Sequence, residues 1–120
     1  MEPIRVLFVC GRNRRRSPTA EMLYRADPRF SVRSGGTSES SKRRVQHSDL
    51  QWADLIIVME RKYEARLRAR FPEVESFPPT CSLDIPDDFE FGDEELIDLL
   101  QPAVAQAYED YVRQKTHAQP

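Results

Sequence analysis

No apolar run in this 120-residue chain approaches the roughly 20 residues needed to span a bilayer. The N-terminal run from Val6 to Cys10 is also too short for the apolar core of a signal peptide, about 7–15 residues. Cysteine is scarce. Cys10 and Cys81 could close one disulfide at most, which excludes a secreted scaffold framed by crosslinks. His47 and His117 have no partner at metal-ligand spacing and lie in polar segments, so both are expected at the surface and no metal or cofactor is expected. Internal repeats, low-complexity tracts and linkers are missing as well. What remains is the expectation of a cytoplasmic protein with one domain over residues 1–120.

Basic residues are absent between Glu73 and Asp110, and this gap exposes an asymmetry hidden by the net charge of −2. Residues 1–72 hold 16 Lys/Arg against 8 Asp/Glu, whereas residues 73–120 hold 2 against 12. The first part can attract an anion; the second is rich in proton donors and acceptors. Most of these charges are read as solvated faces. With 39% apolar and 32% charged residues, the composition is that of a globular protein with a heavily charged surface. In a reducing compartment, a cysteine is better explained by reactivity or burial than by crosslinking.

Ile4 to Val9 is short, β-branched and apolar on both faces, the pattern of a strand inside a parallel sheet. Gly11 to Arg16 holds no apolar side chain and reads as loop. Ser17-Pro18 predicts a helix start, with Ser as cap, Pro in the first turn, and Met22 and Leu23 on the buried face. Phe30 to Arg33 reads as a second strand stopped by Gly35-Gly36. A polar loop covers Thr37 to Ser41, and a weak helix is expected from Lys42 to Gln51. Leu55 to Met59 is the clearest buried strand, and Tyr63, Leu67 and Phe71 mark one apolar stripe on a helix from Arg61 to Phe71. A short fourth strand is placed near Thr80 to Leu83. Asp93 is expected to cap a last helical region that Pro102 interrupts or restarts. Alternating strands and helices predict an α/β domain: a three-layer, doubly wound parallel sheet flanked by helices. Ligands in such sheets bind at the carboxyl ends of the strands, where Cys10 lies.

Cys10-Gly11-Arg12-Asn13-Arg14-Arg15-Arg16-Ser17 places a cysteine and an arginine on either side of five residues, between a strand and a helix start. Such a turn can aim several backbone N–H groups inward as a nest for an oxyanion, with the helix dipole adding positive potential. Arg16 can grip two phosphate oxygens with its planar fork. The same field favours a thiolate at Cys10, ready to attack phosphorus, and Ser17 can hydrogen-bond the sulfur and improve it as a leaving group. The spacing alone is weak; the strand, the Ser-Pro helix start and the apolar-free loop together make it strong. Against it stands the plainer reading of Cys10 as a small buried residue among solvated arginines.

Val6-Leu7-Phe8-Val9-Cys10, with Asn13 and Arg16-Ser17-Pro18-Thr19-Ala20-Glu21, resembles the signature of the low-molecular-weight protein tyrosine phosphatases. Ser34-Gly35-Gly36-Thr37 and Ala53 to Glu60 extend the resemblance over most of the chain. It implies a four-stranded parallel sheet of flavodoxin-like architecture, with Gly11, Arg12, Asn13, Arg14, Arg15 and Ser17 around the substrate. It also implies that Asn13 braces the loop rather than touching substrate. Leu83 to Phe89 resembles the family's acid loop, whose register selects Asp87 as general acid, with Asp88 on the family's proline and Phe89 on its tyrosine.

Three departures accompany the resemblance. The segment between Thr37 and Ala53 is short and holds no aromatic before Trp52. Arg12, Arg14 and Arg15 replace small or apolar residues, favouring an unusually anionic substrate or standing as rim charges. Arg15 also occupies the place of a second loop cysteine. The expected activity is hydrolysis of phosphorylated proteins or small molecules by Cys10, Arg16 and Asp87, with no membrane partner. The rivals are thiol-dependent arsenate reduction, for which Cys81 is the one available resolving cysteine, and a non-catalytic phosphate or phosphopeptide reader. Nucleic-acid binding through the Arg12–Arg16 run ranks last, since that run lacks interleaved aromatics.

Overall fold

Val6 to Val9 are sealed from solvent because strand β1 (Ile4–Cys10) lies inside the sheet, with a parallel neighbour on each edge. The computed structural model describes residues 2–118. β1 is followed by α1 (Arg16–Tyr24), β2 (Phe30–Gly36), α2 (His47–Trp52), β3 (Leu55–Val58), α3 (Arg61–Arg70), β4 (Thr80–Ser82) and α4 (Glu94–Ala118). The sheet order is β2-β1-β3-β4, all parallel, which is the expected α/β class. The chain winds one way from β1 to β2 and the other way from β3 to β4. Right-handed crossovers therefore put α1 and α3 on opposite faces. The direction reverses beside β1, so a crevice opens at the carboxyl ends of β1 and β3. α4 packs on α1, and an aromatic file of Phe8, Tyr24, Phe30 and Tyr108 fills that side, with successive ring centroids 5.3–6.1 Å apart.

Several local expectations are corrected. β2 does not stop before Gly35-Gly36 but runs through them, paired with Val9 and Cys10. These glycines serve close approach rather than a turn. A Cβ on Gly35 would lie 2.7 Å from Val45 Cγ2, and one on Gly36 would lie 2.1 Å from Ser41 Oγ. Lys42 to Arg44 is not helical: Lys42 and Arg43 form a bend and Arg44 a bridge to Gly36, with Gly36 N–H donating to Arg43 O and Val45 N–H donating to Gly36 O. Only His47–Trp52 forms a helix there. Its capping box joins Gln46 to Asp49, and Asp49 also takes Arg33 and Arg43. Met22 is 41% exposed, whereas Leu23 packs against the core as expected, on a face whose buried residues include Thr19, Ala20 and Tyr24. α4 passes through Pro102 unbroken. The acceptor that proline leaves unpaired belongs to Asp98, and both residues face water. No helix among the described residues is long and apolar enough to cross a membrane.

Candidate active site

Cys10, the last residue of β1, is 3% exposed at the carboxyl edge of the sheet. The loop after it is held from outside by its carbonyls. Cys10 O accepts from Thr37 N–H, Gly11 O from Ser38 N–H and Ser41 Oγ, and Arg12 O from Lys42 N–H. Arg15 O accepts both the N–H and the hydroxyl of Thr19. With the carbonyls turned outward, the N–H groups of Gly11 to Arg15 meet no acceptor among the described residues. The missing Cβ of Gly36 permits this, since one there would also lie 2.9 Å from the Gly11 carbonyl. The short 37–42 segment thus acts as the brace of the loop. Asn13 takes the left-handed backbone, φ 54°, that the tight turn requires and asparagine tolerates.

A directed hydrogen-bond chain ends on the sulfur. The Glu21 carboxylate accepts the Ser34 hydroxyl at 2.7 Å, so Ser34 Oγ is free to accept Asn13 Nδ2–H at 2.9 Å. Asn13 gives its second proton to Ser17 Oγ at 3.0 Å. The Ser17 proton is then directed to Cys10 Sγ, 2.9 Å away. Ser17 is therefore not the helix cap expected from its place before Pro18. It lies inside α1, whose first turn has no side-chain cap, and its hydroxyl is committed to the thiol.

Arg16 opens α1 and is 1% exposed, the largest fully buried side chain. Its Nη1 donates to Glu60 Oε1 and to Ile85 O (2.6 Å), and its Nη2 donates to Tyr63 Oη (2.7 Å). Of its five protons, Nε–H and one Nη2–H remain, and Nε has no hydrogen-bond acceptor among the described residues. Glu60 follows β3 and Tyr63 sits in the first turn of α3, so the crevice supplies both supports. Partial burial would raise the Glu60 carboxyl, but the Arg16 guanidinium holds it below its ordinary value.

Asp87 is 59% exposed and reaches Arg16 Nε at 3.5 Å, lining the same cavity of about 430 Å³ as Cys10 and Gly11. The segment carrying it is tied at two points: Ile85, whose N–H donates to Met59 O, and Gly92, whose N–H donates to Thr19 Oγ1. Asp88 is exposed, Asp84 contacts Ser82 and Arg61, and Phe89 packs against the core. Arg12, Arg14 and Arg15 line the cavity with exposed side chains, and Arg15 pairs with Glu90 at 3.5 Å. Cys81 is half-buried, and burial pushes its thiol up to about 11. His47 is exposed beside Glu73; the side chain of His117 lies outside the described residues.

Five participants had no role assigned from sequence: Glu21, Ser34, Glu60, Tyr63 and Arg66, the last also lining the cavity. Glu21 was findable, being one helical turn from Ser17 on the same helix. Tyr63 was read as core stripe, and it is buried at 4%, but its hydroxyl emerges under Arg16.

No protein-family model matches the chain, and no curated protein does. Solved structures do. SP-PTP, a low molecular weight protein tyrosine phosphatase from Streptococcus pyogenes, is 18% identical with a TM-score of 0.72, over 89% of this chain and 92% of that one. The tyrosine phosphatase Wzb from Escherichia coli K30, solved with phosphate, is 22% identical with a TM-score of 0.67, over 88% and 96%. The YwlE arginine phosphatase from Geobacillus stearothermophilus is 23% identical with a TM-score of 0.55, over 97% and 94%. The protein has the fold of the low-molecular-weight protein tyrosine phosphatases.

Proposed function

We propose that the protein is a divergent member of the low-molecular-weight phosphatases, a phosphomonoester hydrolase of the protein tyrosine phosphatase class working through a cysteinyl-phosphate. The observation that carries this reading is the cup of unmet donors around one sulfur. The N–H groups of Gly11 to Arg15 and the Nε of a buried Arg16 lack acceptors among the described residues, beside a thiol that already receives a hydroxyl proton. A phosphoryl group bound there could supply acceptors to these donors.

In the first step Cys10 Sγ attacks phosphorus, an S–P bond forms, and the P–O bond to the leaving group breaks. Asp87, in its acid form, gives that oxygen a proton. In the second step the Asp87 carboxylate takes a proton from water, whose oxygen attacks phosphorus. The S–P bond breaks, releasing orthophosphate and the thiolate. The Ser17 hydroxyl, aimed at sulfur by Asn13, Ser34 and Glu21, stabilises the departing thiolate. Arg16 and the loop amides hold the equatorial oxygens through both steps.

Arsenate reduction with Cys81 as resolving thiol is disfavoured by topology. β4 lies two strands from β1, and Cys81 pairs with Ile57, itself level with Phe8. Two strand spacings of about 4.8 Å keep the two cysteines further apart than the ~7 Å a disulfide tolerates. The raised Cys81 thiol is also a poor nucleophile near neutral pH.

The test is hydrolysis of p-nitrophenyl phosphate, with Cys10→Ser as the blank, together with alkylation by iodoacetamide at about pH 6, where an ordinary thiol is protonated. Cys10 should react, orthophosphate should protect it, and Cys81 should stay unmodified. An inert Cys10, with no turnover, would sink the proposal.

A further inference from the structure

Arg12, Arg14 and Arg66 line the cavity that holds Cys10 and Arg16, and none has a carboxylate partner among the described residues. Away from the cavity most guanidiniums have a carboxylate, Arg5 with Asp54, Arg29 with Asp27, Arg33 and Arg43 with Asp49, Arg68 with Glu64, whereas Arg25, Arg44 and Arg70 have none among the described residues. What sets Arg12, Arg14 and Arg66 apart is that all three line one cavity, which Arg25, Arg44 and Arg70 do not. Acidic side chains at the mouth are already engaged, Asp87 with Arg16 and Glu90 with Arg15. Two of the free cations rise from the phosphate loop. The third comes from α3, one turn beyond Tyr63 on the same face.

A single phosphoryl dianion in the cup is served by the loop amides and Arg16, so three further guanidiniums exceed its needs. Like charges sharing one cavity repel, and that repulsion is relieved by more negative charge. The walls offer little to an aromatic leaving group. Tyr63 is the one aromatic in the lining, but it is 4% exposed, its hydroxyl is committed to Arg16 and the Arg66 guanidinium lies over its ring at 5.6 Å, while Phe89 packs against the core. A substrate bearing its own cation would meet repulsion from the Arg12, Arg14 and Arg66 side of the rim.

We propose that the substrate carries a second phosphate a few bonds from the scissile one, held by Arg12, Arg14 and Arg66. This rests on the phosphatase reading above. Its chemistry is that of a small bisphosphate or of a peptide with two neighbouring phosphorylated side chains.

The test compares kcat/KM for glucose 1,6-bisphosphate with glucose 6-phosphate, and for a phosphotyrosine peptide with and without an adjacent phosphoserine. At least one doubly phosphorylated substrate should be preferred tenfold or more, with the preference shrinking as salt rises from about 0.05 to 0.5 M. Preference in the sugar pair alone assigns the second phosphate to a small molecule; preference in the peptide pair alone assigns it to protein. In Arg12→Gln/Arg66→Gln the ratio should fall towards one. Arg25→Gln, which removes an unpaired charge at the far end of α1, should leave the ratio as it is. Ratios near one in both pairs while p-nitrophenyl phosphate is hydrolysed would overturn this inference and spare the phosphatase reading. If nothing is hydrolysed, calorimetric titration of the same sugar phosphates into Cys10→Ser decides it. A tenfold tighter bisphosphate, lost in the double variant, supports the second site, and equal affinities overturn it.

Discussion

The phosphate loop and the acid arm face each other across one cavity, yet they are built on opposite plans. From Cys10 to Ser17 every outward carbonyl described above is bonded, and Asn13, Arg16 and Ser17 are buried. From Pro86 to Phe89 no hydrogen bond to the rest of the chain is present among the described residues, and Pro86, Asp87 and Asp88 are exposed. The difference matches two tasks. A group that must coincide with the changing charge on phosphorus gains from being fixed before substrate arrives. A proton donor must follow leaving groups of different size, and a segment whose backbone is hydrogen-bonded to the rest of the chain at Ile85 and Gly92 but not from Pro86 to Phe89 can do so.

If that contrast is right, substitutions in the loop are felt by all substrates and substitutions in the arm only by demanding ones. Arg16→Lys should have the largest effect. A point charge cannot serve Glu60, Ile85 O, Tyr63 and an oxyanion together, so turnover should fall by about 10³ whatever the leaving group. Asp87→Asn should cost about 10² with alkyl phosphates and less than about 10 with p-nitrophenyl phosphate, whose leaving group needs little help. Equal losses on both would contradict the arm's role as acid. Gly36→Ala should come next. The new methyl meets the Gly11 carbonyl and Ser41, so denaturant titration should show about 1–3 kcal/mol lost, with a several-fold drop in turnover.

The smallest effect on chemistry is expected beneath the brace, at Asp49. Burial alone would raise its carboxyl, but hydrogen bonds from Arg43, Gln46 N–H and Arg33 carry it below its usual 3.8. Its stabilisation is therefore fully present above that value and is lost as pH falls through the lower folded value. Asp49→Asn should destabilise by about 1–3 kcal/mol above pH ~4, the gap closing on further acidification, with turnover hardly changed.

The parts legible in the sequence were those in which local pattern and tertiary demand agree. Val6 to Val9 and Leu55 to Val58 are apolar on both faces because both strands lie inside the sheet and helices cover its two faces. The loop from Gly11 to Arg16 is marked by having no apolar side chain. Failures came where a residue serves a distant partner. Ser17 carries a capping side chain, yet a thiol seven residues earlier claims it. Gly35-Gly36 carries a turn signal, but the need came from Val45 and Ser41 on a later segment. Pro102 breaks short helices, whereas α4 has 25 residues and a wet face on which to leave one carbonyl unpaired. Tyr63 fits the apolar stripe with its ring, and its hydroxyl emerges under Arg16. No one-dimensional spacing shows that α3 lies under Arg16.

A folded chain with a bouquet of unmet amide protons is less stable than it would be with those protons satisfied. Any anion that seats there selects the native state over the unfolded one by mass action, in proportion to the logarithm of its concentration. Melting temperatures taken in phosphate and in an amine buffer are then two different quantities. For this molecule the choice of buffer is part of the thermodynamic system.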